Sequence, residues 1–340
     1  MRRILTLILV VLFYNASAQI ILTQSDAPTI GDTIFNVVDT NTTGLTPGPT
    51  GENVVWDYSS LGNSYMDTTY FINPDIVDVN NDFPTANIAA VKQEIYMLKK
   101  GSDGILLQGV ILDTLVIKMD NPLYCIKFPF TYGNTLCDTM HFIVVVPYDT
   151  TVNGFHVDSA KVEMTTTMHD TAVAYGTVIL PSENFDNALM IKRVADKHKV
   201  TSAHTSFGWI EVKDTSYTDV SYDTYINGYP DAVLTLSMAD DGSVKKVTYK
   251  YHEEILNINN SHLSTTYIKL YPNPAKNNLN VISKNKVIIN FYNSQGSLVK
   301  TTSKNKGIST INISDLESGL YILNVINGKH EKNFKISINR

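Results

Sequence analysis

Histidines close to carboxylates are the side chains of this 340-residue chain with the clearest capacity for chemistry. His169-Asp170, His198, His204 and the cluster His252-Glu253-Glu254 could serve as general acids and bases or as metal ligands. The spacing of His198 and His204 lets both face one side of a strand. A turn is the simpler interpretation of His169-Asp170, and a solvated linker that of His252-Glu253-Glu254.

Established catalytic motifs are absent from the sequence. It has no G-x-S-x-G or H-E-x-x-H pattern, no phosphate-binding or dinucleotide-binding glycine loop, and no EF-hand. Asp75, Asp78 and Asp82 could offer oxygen ligands to calcium, but a polar surface loop is the simpler interpretation. We therefore predict no catalytic residue, no metal ligand and no cofactor, and a protein that is not an enzyme. A secreted hydrolase with a site dispersed over loops is the alternative.

The chain has two cysteines, Cys125 and Cys137. They flank a short run with a turn at Thr131-Tyr132-Gly133-Asn134, which would bring the two flanks side by side. In an exported protein this arrangement predicts a disulfide. A pair of free buried thiols is the alternative.

Aromatic side chains give the positive indication of ligand binding. Five of them crowd the region around residues 209–231, which reads as rich in loops: Trp209, Tyr217, Tyr222, Tyr225 and Tyr229. Exposed rings of this kind bind sugars or partner proteins in many β proteins. Packing in a core is the competing use of such residues.

The elements that must position these residues are β-strands. Residues 19–257 are rich in Thr, Val, Ile, Tyr and Asp, and turn residues separate short apolar runs at regular intervals. This pattern predicts an all-β cargo region built as an antiparallel β-sandwich, either one large or two small ones. One segment, Asn184 to Ala188, is a candidate helix. Residues 258–267 are predicted to be a linker.

The first eighteen residues have the pattern of a signal peptide. Met1-Arg2-Arg3 is basic, Ile4 to Tyr14 is almost continuously apolar, and Ala16-Ser17-Ala18 is a small-residue cleavage site. The apolar stretch is too short to span a bilayer, and no later stretch is long enough. We therefore expect an exported protein with no transmembrane segment after cleavage.

Charge divides the chain into two parts. Residues 268–340 carry eleven Lys/Arg and three Asp/Glu, a net charge of +8, whereas residues 19–267 carry a net charge of −16. Such a difference indicates a domain boundary. The acidic region is not expected to bind nucleic acid, because binding to phosphates requires clustered Lys and Arg.

The basic part has the pattern of a small β module. Its features are the Pro-bracketed turn LYPNP (Tyr271, Pro272, Asn273, Pro274), VIINFYNSQGSLVK, INISDLESGLYILNV with Gly319 and Tyr321, and the closing NFKISINR with Lys335. About six or seven short strands fit a compact sandwich. Residues 268–340 resemble the type A C-terminal sorting domain of proteins exported by the type IX secretion system of Bacteroidota, and four phrases of the cargo region resemble an uncharacterised group of such proteins.

The resemblance implies a function in export and leaves the role of the cargo open. It implies an Ig-like module, the secretion and sorting machinery as a partner, and a location in the medium or at the outer cell surface, reached through the periplasm. With no catalytic motif, we expect a non-catalytic β-sandwich protein that acts in adhesion, in glycan binding or as an envelope component, with a surface glycan or a protein as its partner.

Overall fold

The computed structural model describes residues 19–78, 80–112, 115–152, 155–251, 268–271, 273–283, 286–327 and 330–339. The predicted signal peptide (1–18) and linker (258–267) lie outside these ranges, as do Glu253 and Glu254. The described residues form β-strands, with two 3₁₀ helices at Gln24–Asp26 and Pro74–Ile76. None of the helices found there is long and apolar enough to cross a membrane.

Fifteen strands lie in residues 19–251, here called the body, and seven in residues 268–339, here called the tail. The body strands are β1 (Ile21–Leu22), β2 (Thr33–Asp39), β3 (Gly51–Asp57), β4 (Tyr65–Ile72), β5 (Ile88–Val91), β6 (Ile95–Lys100), β7 (Gly104–Leu112), β8 (Leu115–Lys127), β9 (Phe130–Thr131), β10 (Thr135–Val152), β11 (Phe155–Ile179), β12 (Asn184–Thr205), β13 (Gly208–Tyr225), β14 (Leu234–Met238) and β15 (Val244–Lys250). The tail strands are β16 (Ile268–Tyr271), β17 (Asn278–Ser283), β18 (Val287–Tyr292), β19 (Leu298–Lys304), β20 (Gly307–Asn312), β21 (Gly319–Asn327) and β22 (His330–Ile338).

The main sheet of the body is closed and barrel-like, which corrects the predicted sandwich. Twelve strands follow the order β10-β8-β7-β6-β5-β4-β2-β15-β14-β13-β12-β11, and β11 pairs again with β10. The all-β, antiparallel prediction is confirmed. The sandwich was wrong for the body because strand patterning specifies which residues face a core, whereas closure depends on the pairing of β10 with both β8 and β11.

Strand β3 is added to this sheet in parallel to β11, beyond the point where β10 begins. Gly176 of β11 allows the approach, because a Cβ on that residue would collide with the backbone of Val54. Trp56 of β3 is thereby buried in a cluster with Ala174, Val178 and Met190.

Several body strands are apolar at consecutive positions because both of their faces are covered. In β5 all four residues are buried: Ile88 and Ala90 pack in one cluster, and Ala89 and Val91 in another. Strands covered on both faces read as continuous apolar runs, whereas half-exposed strands alternate.

Four strands of the body extend past the closed part of its sheet. We call this extension the arm and define it as residues 142–152, 155–164, 199–205 and 208–215. Pairing runs across all four strands, with Val144 opposite Val162, Val162 opposite Thr201, and Thr201 opposite Lys213. The register shifts between Pro147 and Thr150 and between Thr201 and Ser202. The arm is roughly 30 Å long at about 3.3 Å per residue. None of its residues belongs to the core clusters found in the described chain.

The tail consists of a three-stranded and a four-stranded sheet around one core. The sheets have the orders β16-β17-β20 and β19-β18-β21-β22, and Val281, Phe291, Ile311 and Leu323 pack in their shared cluster. Neighbouring apolar residues of β16 and β17 point to opposite faces, so these strands have a second apolar face outside the core of the tail. Tyr271 and Ile282 lie on it, in a cluster with Ile72 and Phe83 of the body.

Three local predictions differ from the structure. The candidate helix Asn184 to Ala188 is the start of strand β12. The predicted turn at His169-Asp170 lies in the middle of β11, and the region from Asp214 to Tyr225 is strand instead of loop. Long pairing partners on both sides stabilise an extended backbone in segments whose polar residues favour turns when considered alone.

Candidate binding surface

Aromatic side chains meet at the end of the arm, where two hairpin turns lie next to each other. Phe155 at the start of β11 and Phe207 in the turn between β12 and β13 pack edge to face, with ring centroids 5.8 Å apart. Phe207 is 75% exposed, although such a side chain is usually buried. The turn is built by Thr205, whose Oγ1 accepts from the Phe207 N–H at 3.2 Å, and by Gly208 at a φ of 91°.

Trp209 lies next to this pair in a polar setting. It faces His204 across β12 and β13, with ring centroids 5.0 Å apart, and the Lys161 Nζ lies 5.3 Å from its ring centroid. His204 Nδ1 is 2.9 Å from Asp158 Oδ1. The hydrogen bond with His204 lowers the pKa of Asp158, so this carboxylate is ionised. The site therefore combines an exposed indole with a hydrogen-bonding carboxylate, an imidazole and an ammonium group.

The other predicted aromatics divide between a cleft and the core. Tyr217 and Tyr222 line a cleft of about 550 Å³ at the base of the arm, and each has a lysine near its ring, Lys197 and Lys192 respectively. Tyr225 and Tyr229 pack against core clusters, so the prediction of ligand contact does not apply to them. The five residues do not form one surface, because those of β13 point to different faces of their strand.

Three histidines of the enzyme alternative, all within the described residues, are distributed along one face of the sheet; His252 lies outside those residues. The register places His169, His198 and His204 on the same face, but His169 and His204 are about 30 Å apart at the usual rise per residue. His198 Nε2 is 2.7 Å from Asp214 Oδ1, so it and His204 pair with separate carboxylates. Among the described residues no His, Cys, Asp or Glu group could hold a metal ion.

Two carboxylates of the candidate calcium loop, those of Asp78 and Asp82, have partners within the protein. Asp78 accepts hydrogen bonds from the N–H groups of Asp82 and Phe83, both at 2.7 Å, and Asp82 pairs with Lys118 at 2.8 Å. These contacts support the interpretation of a polar surface loop.

Both cysteines are free thiols, contrary to the predicted disulfide. Cys125 packs against the same core cluster as Leu136, and Cys137 is exposed. Consecutive residues of a strand point to opposite faces, so Cys137 points away from the face that Leu136 shares with Cys125. Burial raises the pKa of Cys125 to about 11 and keeps it protonated.

Sequence analysis missed a buried ion pair at the base of the arm. Arg193 donates from Nε and Nη2 to the two carboxylate oxygens of Asp170, at 2.9 and 2.8 Å, and from Nη2 to the Cys125 carbonyl at 2.6 Å. Its Nη1 lies 3.6 Å from Asp223. Burial raises the pKa of Asp223, and the Arg193 charge opposes that shift. An isolated Arg in a Thr-rich and Lys-rich strand gives no sequence signal of this geometry.

The sorting-motif residues lie mostly at one end of the tail. Asn273 donates from Nδ2 to the Lys335 carbonyl at 3.1 Å and accepts from the Ser337 N–H at 2.8 Å, which ties the opening turn to the last strand. The hydroxyl of buried Tyr321 donates to the Glu317 carbonyl at 3.0 Å, and Gly319 has a φ of 157°. Tyr271 packs against the body, and Pro272 lies outside the described residues.

Comparisons with known proteins agree with the tail. Residues 269–339 match the family model of the secretion system C-terminal sorting domain. No curated protein matches the chain. One solved structure, PorZ, a surface component of the type-IX secretion system of Porphyromonas gingivalis, is similar at 9% identity and a TM-score of 0.20. That match covers 73% of this chain and half of the PorZ chain, and at this TM-score it carries no argument about fold or function. The chain therefore carries, at residues 269–339, a type A C-terminal sorting domain of type IX secretion, which directs export to the cell surface or the medium.

Proposed function

We propose that the body is a non-catalytic glycan-binding protein, delivered outside the cell by its tail, and that it binds saccharide at the end of the arm. The observation that supports this is the exposed Trp209 with Asp158, His204 and Lys161 around it. Phe155 and Phe207 extend the aromatic surface next to it.

The chemistry of the site suits a sugar. One face of a pyranose presents C–H groups that pack on an indole ring, and its hydroxyls require hydrogen-bond donors and acceptors at the edge of the ring. Asp158 supplies an acceptor and Lys161 a donor near the same ring, and His204, whose Nδ1 is hydrogen-bonded to Asp158, presents its Nε2.

The exposure of the site also favours binding over catalysis. The side chains of His204 and Asp158 near Trp209 are 38% and 50% exposed. A hydrolase requires a concave site that excludes water around its acid and base. No contact among the described residues favours the hydrolase alternative specifically.

A glycan array probed with the folded chain tests this proposal. We expect binding to a restricted set of saccharides, and we expect Trp209→Ala to weaken it about fivefold to thirtyfold, since one stacked ring contributes on the order of 1–2 kcal/mol. Asp158→Asn should weaken the same interaction without a change in thermal stability.

The matched control is Tyr65→Ala, which removes an aromatic ring of similar exposure, 48% against 42% for Trp209, from the body. Tyr65→Ala should leave binding unchanged. Absence of glycan binding by the wild-type chain, or equal losses in Trp209→Ala and Tyr65→Ala, would contradict the proposal. Capture of a protein partner that depends on Trp209 would replace glycan with protein as the ligand class.

A further inference from the structure

A second cavity, of about 410 Å³, lies beside the base of the arm, where β14 and β15 end against β12 and β13. Its lining includes Arg193, Lys197, Ser221, Ser237, Lys245 and Lys246. The volume is within the range of small-ligand sites, roughly 300–1,000 Å³. The cationic lining is unusual, because residues 19–267 carry a net charge of −16.

The cross-strand register explains how these side chains come together. Arg193 pairs with Ser221, Ser221 with Ser237, and Ser237 with Lys246, so one row of four strands points to the same face. A register shift between Ser237 and Met238 brings Lys245 to the same cavity. The turn at Asp241, whose carboxylate accepts from the Ser243 N–H at 2.9 Å, orients the hairpin that carries both lysines.

Two of the four cations already have anionic partners. Arg193 is engaged by Asp170 and lies near Asp223, and Lys197 Nζ is 2.5 Å from Asp219 Oδ2. Lys245 and Lys246 form no ion pair within the described residues, and the Ser237 hydroxyl makes no hydrogen bond there. The uncompensated positive charge of the lining therefore lies on two adjacent lysines, Lys245 and Lys246.

We propose that this cavity binds an oxyanion, carried by a small ligand or by an acidic saccharide, with Lys245 and Lys246 as its charged contacts and Ser237 as a hydrogen-bond donor. An anion between the lysines would relieve their mutual repulsion and accept charge-assisted hydrogen bonds. Asp219, the acidic residue of the lining, pairs with Lys197, so we place the anion beside Lys245 and Lys246. This site is separate from Trp209 and does not depend on glycan binding at the arm.

Isothermal titration calorimetry of the full chain with phosphate, sulfate, glucuronate and neutral glucose, all at one ionic strength, tests the site. We expect saturable binding of at least one of the three anions, none of glucose, and weaker binding as salt is added. Tighter binding of glucuronate identifies a saccharide carboxylate, and tighter binding of phosphate or sulfate identifies an inorganic or ester oxyanion.

The variant Lys245→Ala/Lys246→Ala should weaken anion binding at least tenfold, and Ser237→Ala about twofold to fivefold. The control is Lys199→Ala/Lys213→Ala, which removes the same charge from the arm. The proposal fails if no anion binds saturably, or if both double variants weaken binding equally. Because the substituted lysines lie outside the core clusters, circular dichroism should show wild-type folding for each variant.

Discussion

At the scale of single residues, the contacts of Arg193 connect three strands of the body. Asp170 of β11 and Asp223 of β13 lie on either side of Arg193 of β12, and Asp170 is only 3% exposed. An arginine that binds a carboxylate with two parallel hydrogen bonds fixes both side chains in one geometry. The pair thereby links β11 and β12 at the position where Asp170 and Arg193 lie directly opposite each other.

We predict that Arg193→Met lowers the free energy of unfolding by about 3–5 kcal/mol, because it leaves buried carboxylates without their cation. Urea unfolding followed by tryptophan fluorescence measures this change. Lys192→Met is the control: Lys192 points to the opposite face, towards Tyr222, and its loss should cost less than about 1 kcal/mol. Equal effects of the two substitutions would show that the buried pair has no special role.

At the scale of elements, the arm differs from the rest of the body in what stabilises it. Its strands are joined by backbone pairing and by surface contacts such as the Lys161–Trp209 and His204–Asp158 pairs. Its residues are absent from the core clusters of the described chain. The arm should therefore exchange amide hydrogens faster than the body strands from which it extends.

We predict that shortening the arm leaves the body folded. Replacing residues 145–161 and 202–212 by two-residue Asn-Gly turns removes both hairpin ends and closes the strands on the cross-strand pairs Val144 with Val162 and Thr201 with Lys213. Thermal unfolding of the shortened chain should occur within a few degrees of the wild-type temperature, with glycan binding lost. Unfolding at a much lower temperature would show that the arm contributes to the core.

At the scale of the whole molecule, the tail and body share a hydrophobic cluster. Val281 of β17 packs in the core of the tail, whereas the next residue, Ile282, packs with Tyr271 against Ile72 and Phe83 of the body. A three-stranded sheet with two apolar faces is expected where one face covers a neighbouring domain. The sorting domain therefore also covers part of the body.

We predict that a chain ending at residue 251 unfolds at a lower temperature than the full chain and binds more of the dye ANS. Loss of Tyr271 and Ile282 from the cluster exposes apolar surface, at a cost of roughly 1–3 kcal/mol. Ile282→Ser in the full chain should reproduce part of the effect, whereas Ile288→Ser, at an exposed position of β18, should not. Identical melting and dye binding with and without the tail would exclude a stabilising contact.

Local sequence patterns were enough to predict β-strands in both parts of this protein and a sorting domain in one of them. Alternation, turn residues and composition specified β-strands, and the phrases from LYPNP to NFKISINR specified the sorting tail. For the aromatic group around Trp209, ligand binding and packing in a core were both open. These properties are local, because a strand pattern or a motif occupies a segment of about ten residues. They include no information on which strands pair.

The arrangement of the strands, in contrast, was visible only in the tertiary structure. Closure of the sheet, continuation of β11 through His169-Asp170, the Arg193–Asp170 pair and the opposite orientations of Cys125 and Cys137 all depend on partners distant in sequence. Each depends on the register of strand pairing, because a shift of one residue would turn every side chain of a strand to the opposite face of the sheet. Register is set by the packing of the complete core, so the binding surfaces became visible only when the strands were placed side by side.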